Sequence, residues 1–249
     1  MTAAANDGGG GGGPMPITAD MLASASPRRR IDFERGMRTT APLTIMLSTA
    51  CVVAFAWQCG SGGLESAAGL VASGAVVRDR LMLGEFWRLA TALFLHGGID
   101  HLIGNVMALF VLGMACEHAF GWLKMAAIYL LAGVAGGLAS TVINPVPTVG
   151  ASGAIFGLMG CLVAVLAKLR GTVQVRDGRI GTVVGLWAAY QMALGFADPL
   201  VANFAHIGGF VTGALLGLLI PPHAALRPQR SSPTASRHAI ATAALPGAV

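Results

Sequence analysis

Charged side chains are scarce in this sequence: they make up 11% of its 249 residues, where soluble domains carry about 25%. A soluble protein of this size could not solvate its surface with so few charges. Apolar residues reach 55% and the mean hydropathy is +0.70, so lipid has to cover part of the fold. Paired or metal-like cysteine spacing is also lacking. Cys51, Cys59, Cys116 and Cys161 are scattered, mostly in or beside apolar segments. They read as small packing residues and say nothing of redox compartment. No internal repeat is evident, which argues against transporter folds built from inverted halves. There is no HExxH, and His96 and His101 have a poor spacing for two metal ligands on one helical face; no metal and no cofactor is expected. The start lacks the apolar core of a cleavable signal peptide. Residues 1–40 instead hold a glycine run from Gly8 to Gly13, Pro14, Pro16 and Arg28-Arg29-Arg30. With little apolar surface to offset ordering entropy, they are expected to form a disordered tail. Residues 222–249, rich in Ala, Pro, Ser and Arg, read the same way.

What is present is a series of long apolar segments. A helix crossing the hydrocarbon core needs about 20 largely apolar residues, and segments of this kind cover roughly 42–60, 99–119, 122–142, 151–169, 181–197 and 203–220. The expected fold is an all-α membrane protein with a six-transmembrane-helix domain over 41–221. Basic residues outnumber acidic ones, 16 to 11, but they cluster between apolar segments instead of forming one stripe. The partner this suggests is the lipid bilayer, not nucleic acid. With the N-terminus inside, the inner side receives Arg28, Arg29, Arg30, Arg35, Arg38, Lys124, Lys168, Arg170, Arg176, Arg179, Arg227, Arg230 and Arg237. Only Arg78, Arg80 and Arg88 fall outside. Both tails are therefore expected in the cytoplasm, with the spans in the cell membrane.

In this topology spans 2, 4 and 6 all run from outside to inside, so their first turns share one shallow depth. The unusual polar residues sit there. Span 2 opens with His96, His101 and Asn105, the last two one turn apart on the same helix face. Span 4 opens with Gly150-Ala151-Ser152-Gly153 and span 6 with Ala205-His206-Ile207-Gly208-Gly209. Taken singly, each residue has a plain explanation. A serine in a membrane helix is most often a packing residue, a histidine at a helix start is usually interfacial, and His101 with Asn105 could be an interhelical hydrogen-bond pair. Their convergence in depth is what points to a site. Gly153 and Gly157 on span 4, and Gly209, Gly213 and Gly217 on span 6, form small-residue stripes that let helix backbones approach closely. His206 shares the face of Gly209 and Gly213, so close packing of spans 4 and 6 would bring its ring against the Ser152 hydroxyl.

These motifs resemble those of rhomboid proteases. Gly150-Ala151-Ser152-Gly153 is similar to the family's GxSG, and His96, His101 and Asn105 to its HxxxxHxxxN on the second helix. Ala205-His206 with Gly209 and Gly213 is similar to its AHxxGxxxG on the sixth. Trp87-Arg88 and Glu117 match further family positions, and the similarity runs over roughly residues 42 to 220.

The resemblance implies an intramembrane serine endopeptidase acting on transmembrane protein substrates near the extracytoplasmic face. Ser152 is the expected nucleophile and His206 its base, a dyad, since no Asp or Glu lies within span 4 or 6. His101, Asn105 and the Ser152 backbone N–H are the expected oxyanion donors. Phe156 stands where the family usually has a tyrosine stacked on the histidine, so the ring is kept and the phenol is lost. His96 is expected to serve loop structure or water organisation, and Arg88 and Glu117 to be structural, tying down the first outer loop. Residues 198–204 are expected to cap the cavity and span 5, with Trp187, to form a lateral gate toward span 2. The competing readings are a catalytically inactive rhomboid-like protein that binds membrane clients, and a small channel or transporter.

Overall fold

The computed structural model of the chain describes residues 30–37, 40–143, 146–175, 178–197 and 203–223, with Thr18 and Leu226. Most of the expected tails, and 198–202 of the expected cap, lie outside the described residues. The chain order is β1 (Ile31–Asp32), α1 (Pro42–Gly60), α2 (Ala67–Ser73), α3 (Arg78–Met82), α4 (Arg88–Thr91), α5 (Ile99–Phe120), α6 (Trp122–Ile143), α7 (Ser152–Leu169), β2 (Val173–Gln174), α8 (Gly178–Ala197) and α9 (Asn203–Leu219). Each expected span is a helix: α1 and α5 to α9. By length and composition α1, α5, α6 and α7 are apolar enough to cross a membrane, while α9 is apolar but only 17 residues long.

The core of the bundle is α7, against which α9, α6 and α5 pack. Small residues make that possible. A Cβ on Gly209 would collide with the Gly153 carbonyl, one on Gly213 with the Gly157 carbonyl, and one on Gly217 would lie 2.5 Å from the Cys161 carbonyl. The two backbones therefore touch along three successive turns. The opposite face of α9 carries Ile207, Val211, Leu215 and Leu218, all half exposed. Their spacing is that of one helical stripe, the face a bilayer would cover. Gly136 of α6 meets the Ala205 carbonyl in the same manner, 2.5 Å from its would-be Cβ, so α9 is wedged between α6 and α7.

Helix ends are satisfied from neighbouring helices. Ala41 offers no side-chain cap to α1. Glu117, at the far end of α5, does so instead: its carboxylate accepts from Leu43 N (3.2 Å), Thr44 N (3.0 Å) and Thr44 Oγ1 (3.0 Å). Glu117 is thus structural, as expected, but at the end of the bundle opposite to the loop between α1 and α5, because it closes a 22-residue helix that starts beside that loop. Lys124 Nζ and Lys168 Nζ donate to the carbonyls of Pro221 (2.8 Å) and Leu218 (3.0 Å), placing two cations at the C-terminal end of α9.

Residues 30–37, expected within a disordered tail, are folded. Ile31–Asp32 pairs in parallel with Val173–Gln174, and Phe33 is buried with its ring edge-on to His118 at 5.4 Å. Leu226 is buried too, and His223 N–H donates to the Ala119 carbonyl at 2.6 Å. Composition hid this, since one phenylalanine among glycines and arginines finds its apolar partners only in the assembled bundle.

The loop from α1 to α5 holds α2, α3 and α4. Arg88, buried, ties it together: Nε donates to Glu85 Oε2 at 2.6 Å, and Nη1 to the carbonyls of Val71 (2.5 Å) and Ala75 (3.1 Å). Its guanidinium also lies 4.5 Å from the Trp87 ring centre. The loop in turn fixes the approach to α7. Val76 and Thr148 form an antiparallel bridge, and Gly150 N–H donates to the Ala92 carbonyl at 2.9 Å.

Two outcomes follow. Gly213→Ala puts a methyl against the Gly157 carbonyl, and such overpacking costs about 1–3 kcal/mol or more; thermal unfolding in detergent should show the loss. The Glu85 carboxyl is held below the usual glutamate range, first by the Arg88 hydrogen bond. Its contribution is present above the ordinary carboxylate pKa and is lost as pH falls through the lowered one. Protection factors over residues 71–92, measured against the intrinsic exchange rate at each pH, should therefore fall with acidification in the wild type, and this pH dependence should be flattened in Glu85→Gln.

Candidate active site

The Ser152 position is built by a turn and a helix start. Gly150 has φ +118°, a left-handed conformation that favours glycine, and a Cβ there would lie 2.7 Å from Cε1 and Nε2 of His101. Ser152 is the first residue of α7. The intrahelical ladder begins one turn on, where Ile155 N–H donates to the Ala151 carbonyl at 2.9 Å. The Ser152 N–H therefore belongs to the positive end of an 18-residue helix.

Ser152 Oγ lies 2.9 Å from His206 Nε2, with both residues buried. The two are 54 residues apart in sequence and meet because Gly153 and Gly209 remove the side chains between their backbones. The Phe156 ring lies one turn below Ser152, stacked on the His206 ring with centroids 4.5 Å apart and planes 11° apart. Trp187 of α8 backs it at 5.4 Å. Nothing among the described residues hydrogen-bonds His206 Nδ1. The ring is oriented by an aromatic face where a triad would use a carboxylate.

His101 and Asn105 lie on the other side of Gly150. Asn105 Nδ2 donates to the His101 carbonyl at 3.0 Å, and a Cβ on Gly150 would be 3.6 Å from the same nitrogen. Asn105 is buried and its Oδ1 has no partner among the described residues. His96, Ser152, His206, Phe156, His101, Asn105, Gly150, Gly153 and Gly209 thus gather at one end of the bundle. Arg88 acts from the loop beside them and Glu117 sits at the far end. Trp187 Nε1 also lies beside Gly104 of α5, 3.7 Å from its would-be Cβ, where the lateral gate was expected. Of the expected cap, Asn203 and Phe204 are described, and Asn203 Nδ2 donates to the Met192 carbonyl of α8 at 3.2 Å.

One residue escaped the sequence reading. Gln58, fully buried in α1, pairs with the main chain of His96. A glutamine within an apolar span was the signal that could have found it.

A family model described as the Rhomboid domain matches residues 83–223. Among curated proteins, Rhomboid protease GluP of Bacillus subtilis (strain 168) is 38% identical over 190 residues, 75% of this chain and 36% of the relative. RHOMBOID-like protein 4 of Arabidopsis thaliana is 39% identical over 158 residues, 62% of this chain and 39% of that one. Inactive RHOMBOID-like protein 8 of the same plant is 34% identical over 129 residues, 51% and 36% of the two chains. The chain spans about a third to a half of the length of the curated relatives it matches.

An alcohol that can pass its proton to a 2.9 Å imidazole is expected to react with a fluorophosphonate. Labelling followed by mass spectrometry should mark Ser152 and vanish in Ser152→Ala and His206→Ala. Phe156→Ala should slow it about tenfold, the loss of one aromatic pair, while Phe156→Tyr should not.

Proposed function

The chain belongs to the rhomboid family, and from that premise we propose that it is an intramembrane serine endopeptidase with a Ser152–His206 dyad. One observation carries this reading: a serine hydroxyl and an imidazole nitrogen 2.9 Å apart, buried together at a helix N-terminus inside an apolar bundle. Family membership by itself does not decide activity, because relatives include both a protease and a protein named inactive. Intact Ser152 and His206 favour the protease.

His206 Nε2 accepts the Ser152 proton as Oγ attacks the carbonyl of a peptide bond. The resulting imidazolium is stabilised by the π face of Phe156 rather than by an acid. The oxyanion forms beside three donors: the Ser152 N–H, His101 Nε2–H and the Asn105 amide. Asn105 has a second N–H beyond the one given to His101 O. Collapse breaks the C–N bond, His206 returns the proton to the leaving amine, and water then releases the acyl group by the same path. Each donor acts in a site shielded from bulk solvent, where charge stabilisation is strongest.

The substrates in this reading are transmembrane proteins whose helices unwind near the membrane surface, since a hydrogen-bonded helix hides its carbonyls. They enter past α8 and Trp187. In this reading both termini lie in the cytoplasm, the chain in the cell membrane and Ser152 near the extracytoplasmic face, an orientation that the distribution of Lys and Arg supports.

Reconstitution with a fluorogenic transmembrane substrate tests the assignment. Cleavage should be abolished in Ser152→Ala and His206→Ala, and Asn105→Ala should lower kcat roughly 100- to 1000-fold, the usual cost of one oxyanion donor. Activity that survives Ser152→Ala sinks the proposal. A wild type that binds membrane clients without cutting any, and takes no serine label, supports the inactive alternative.

A further inference from the structure

Gln58 lies near the outer end of α1, two residues before its last, and is fully buried. Its carboxamide spends both of its functions on one residue. Nε2 donates to the His96 carbonyl at 3.2 Å, and Oε1 accepts from the His96 N–H at 3.0 Å. Residues 95–98 belong to no helix or strand, so no regular ladder is available to satisfy or fix that peptide. The carboxamide takes the place of a neighbouring strand.

The fixed peptide has consequences one residue further on. Gly97 N–H, next in the chain, donates to His101 Nδ1 at 3.4 Å. A nitrogen that accepts from a backbone N–H carries no proton, so the proton of neutral His101 sits on Nε2. That nitrogen is one of the two His101 atoms nearest the would-be Cβ of Gly150, at 2.7 Å, two residues before Ser152. The His96 ring closes the other side. Its Nδ1 lies 3.2 Å from the Phe94 carbonyl, which can only accept, and its ring stands edge-on to His101 with centroids 5.2 Å apart.

We propose that Gln58 is a positioning residue for His101: by clamping the His96 peptide it aims the Gly97 N–H at Nδ1 and so selects the His101 tautomer whose Nε2–H faces the Ser152 site. It touches no substrate and acts through the first outer loop, from a helix that contributes nothing else to the site. The functional meaning rests on the protease reading; the tautomer selection does not.

Two measurements on the full-length chain test it. In ¹⁵N-histidine spectra the wild type should show His101 as the Nε2–H tautomer. Gln58→Met, which keeps the volume and loses both hydrogen bonds, should shift it to a tautomer mixture. Gln58→Glu, isosteric and able as the neutral acid to donate and accept, should restore the wild-type spectrum. Gln58→Asn, polar but one methylene too short to reach both groups, replaces Gln58→Met if the latter does not fold. An unchanged His101 spectrum in the folded variant overturns the proposal.

In cleavage assays Gln58→Met should lower kcat about 10- to 100-fold, the range of a small misplacement, with KM unchanged. In a His101→Ala background the same substitution should have no further effect on kcat. Additive losses, or a change confined to KM, would show that Gln58 merely supports the loop. If the wild type cuts nothing, the protease reading fails while the spectra still decide the tautomer question.

Discussion

The close approach of α7 and α9 governs where every other group of the site can stand. In lipid no hydrophobic drive pulls two apolar helices together, so association depends on backbone contact and van der Waals fit. Gly153 and Gly157 on one helix, with Gly209, Gly213 and Gly217 on the other, supply that fit along three turns. Side chains at any of these positions would push the axes apart. The distance between Ser152 Oγ and His206 Nε2 is therefore set by residues with no chemistry of their own.

The same economy appears in how polar groups are kept inside an apolar bundle. Several polar side chains each meet a group that regular structure has left without a partner. Glu117 takes the first N–H groups of α1, Lys124 and Lys168 take carbonyls at the end of α9, and Arg88 takes carbonyls of the first outer loop. Some exceptions lie at the candidate site and others away from it, such as Ser48 Oγ and His118 Nε2. Asn105 Oδ1, His206 Nδ1 and His96 Nε2 are buried without a partner among the described residues. Such atoms are costly unless water or a ligand reaches them.

The loop between α1 and α5 links these two features. Its bridge from Val76 to Thr148 and the bond from Gly150 to Ala92 hold the turn that starts α7, and Gln58 anchors its last residues from α1. Ser152, the His101–Asn105 pair and His206 come from three different helices. The loop fixes the first two relative to each other, and the glycine stripe fixes the third.

The sequence by itself determined the six helices, the glycine faces and the common depth of Ser152, His206, His101 and Asn105. Hydropathy and small-residue spacing are local patterns that lipid leaves little freedom to reinterpret. The resemblance to rhomboid proteases also made Phe156 readable as the ring beneath His206, because it stands where the family usually has a stacked tyrosine. Only the tertiary structure decided the rest. Nothing local to Phe33 or Leu226 reveals that they find a core, and nothing local to Glu117 reveals which helix end it caps. Gln58 has no partner within its own helix; the peptide it clamps lies 38 residues on. Long-range pairings of single polar groups leave no periodic trace in a sequence, and so they become visible only once the bundle has closed around them.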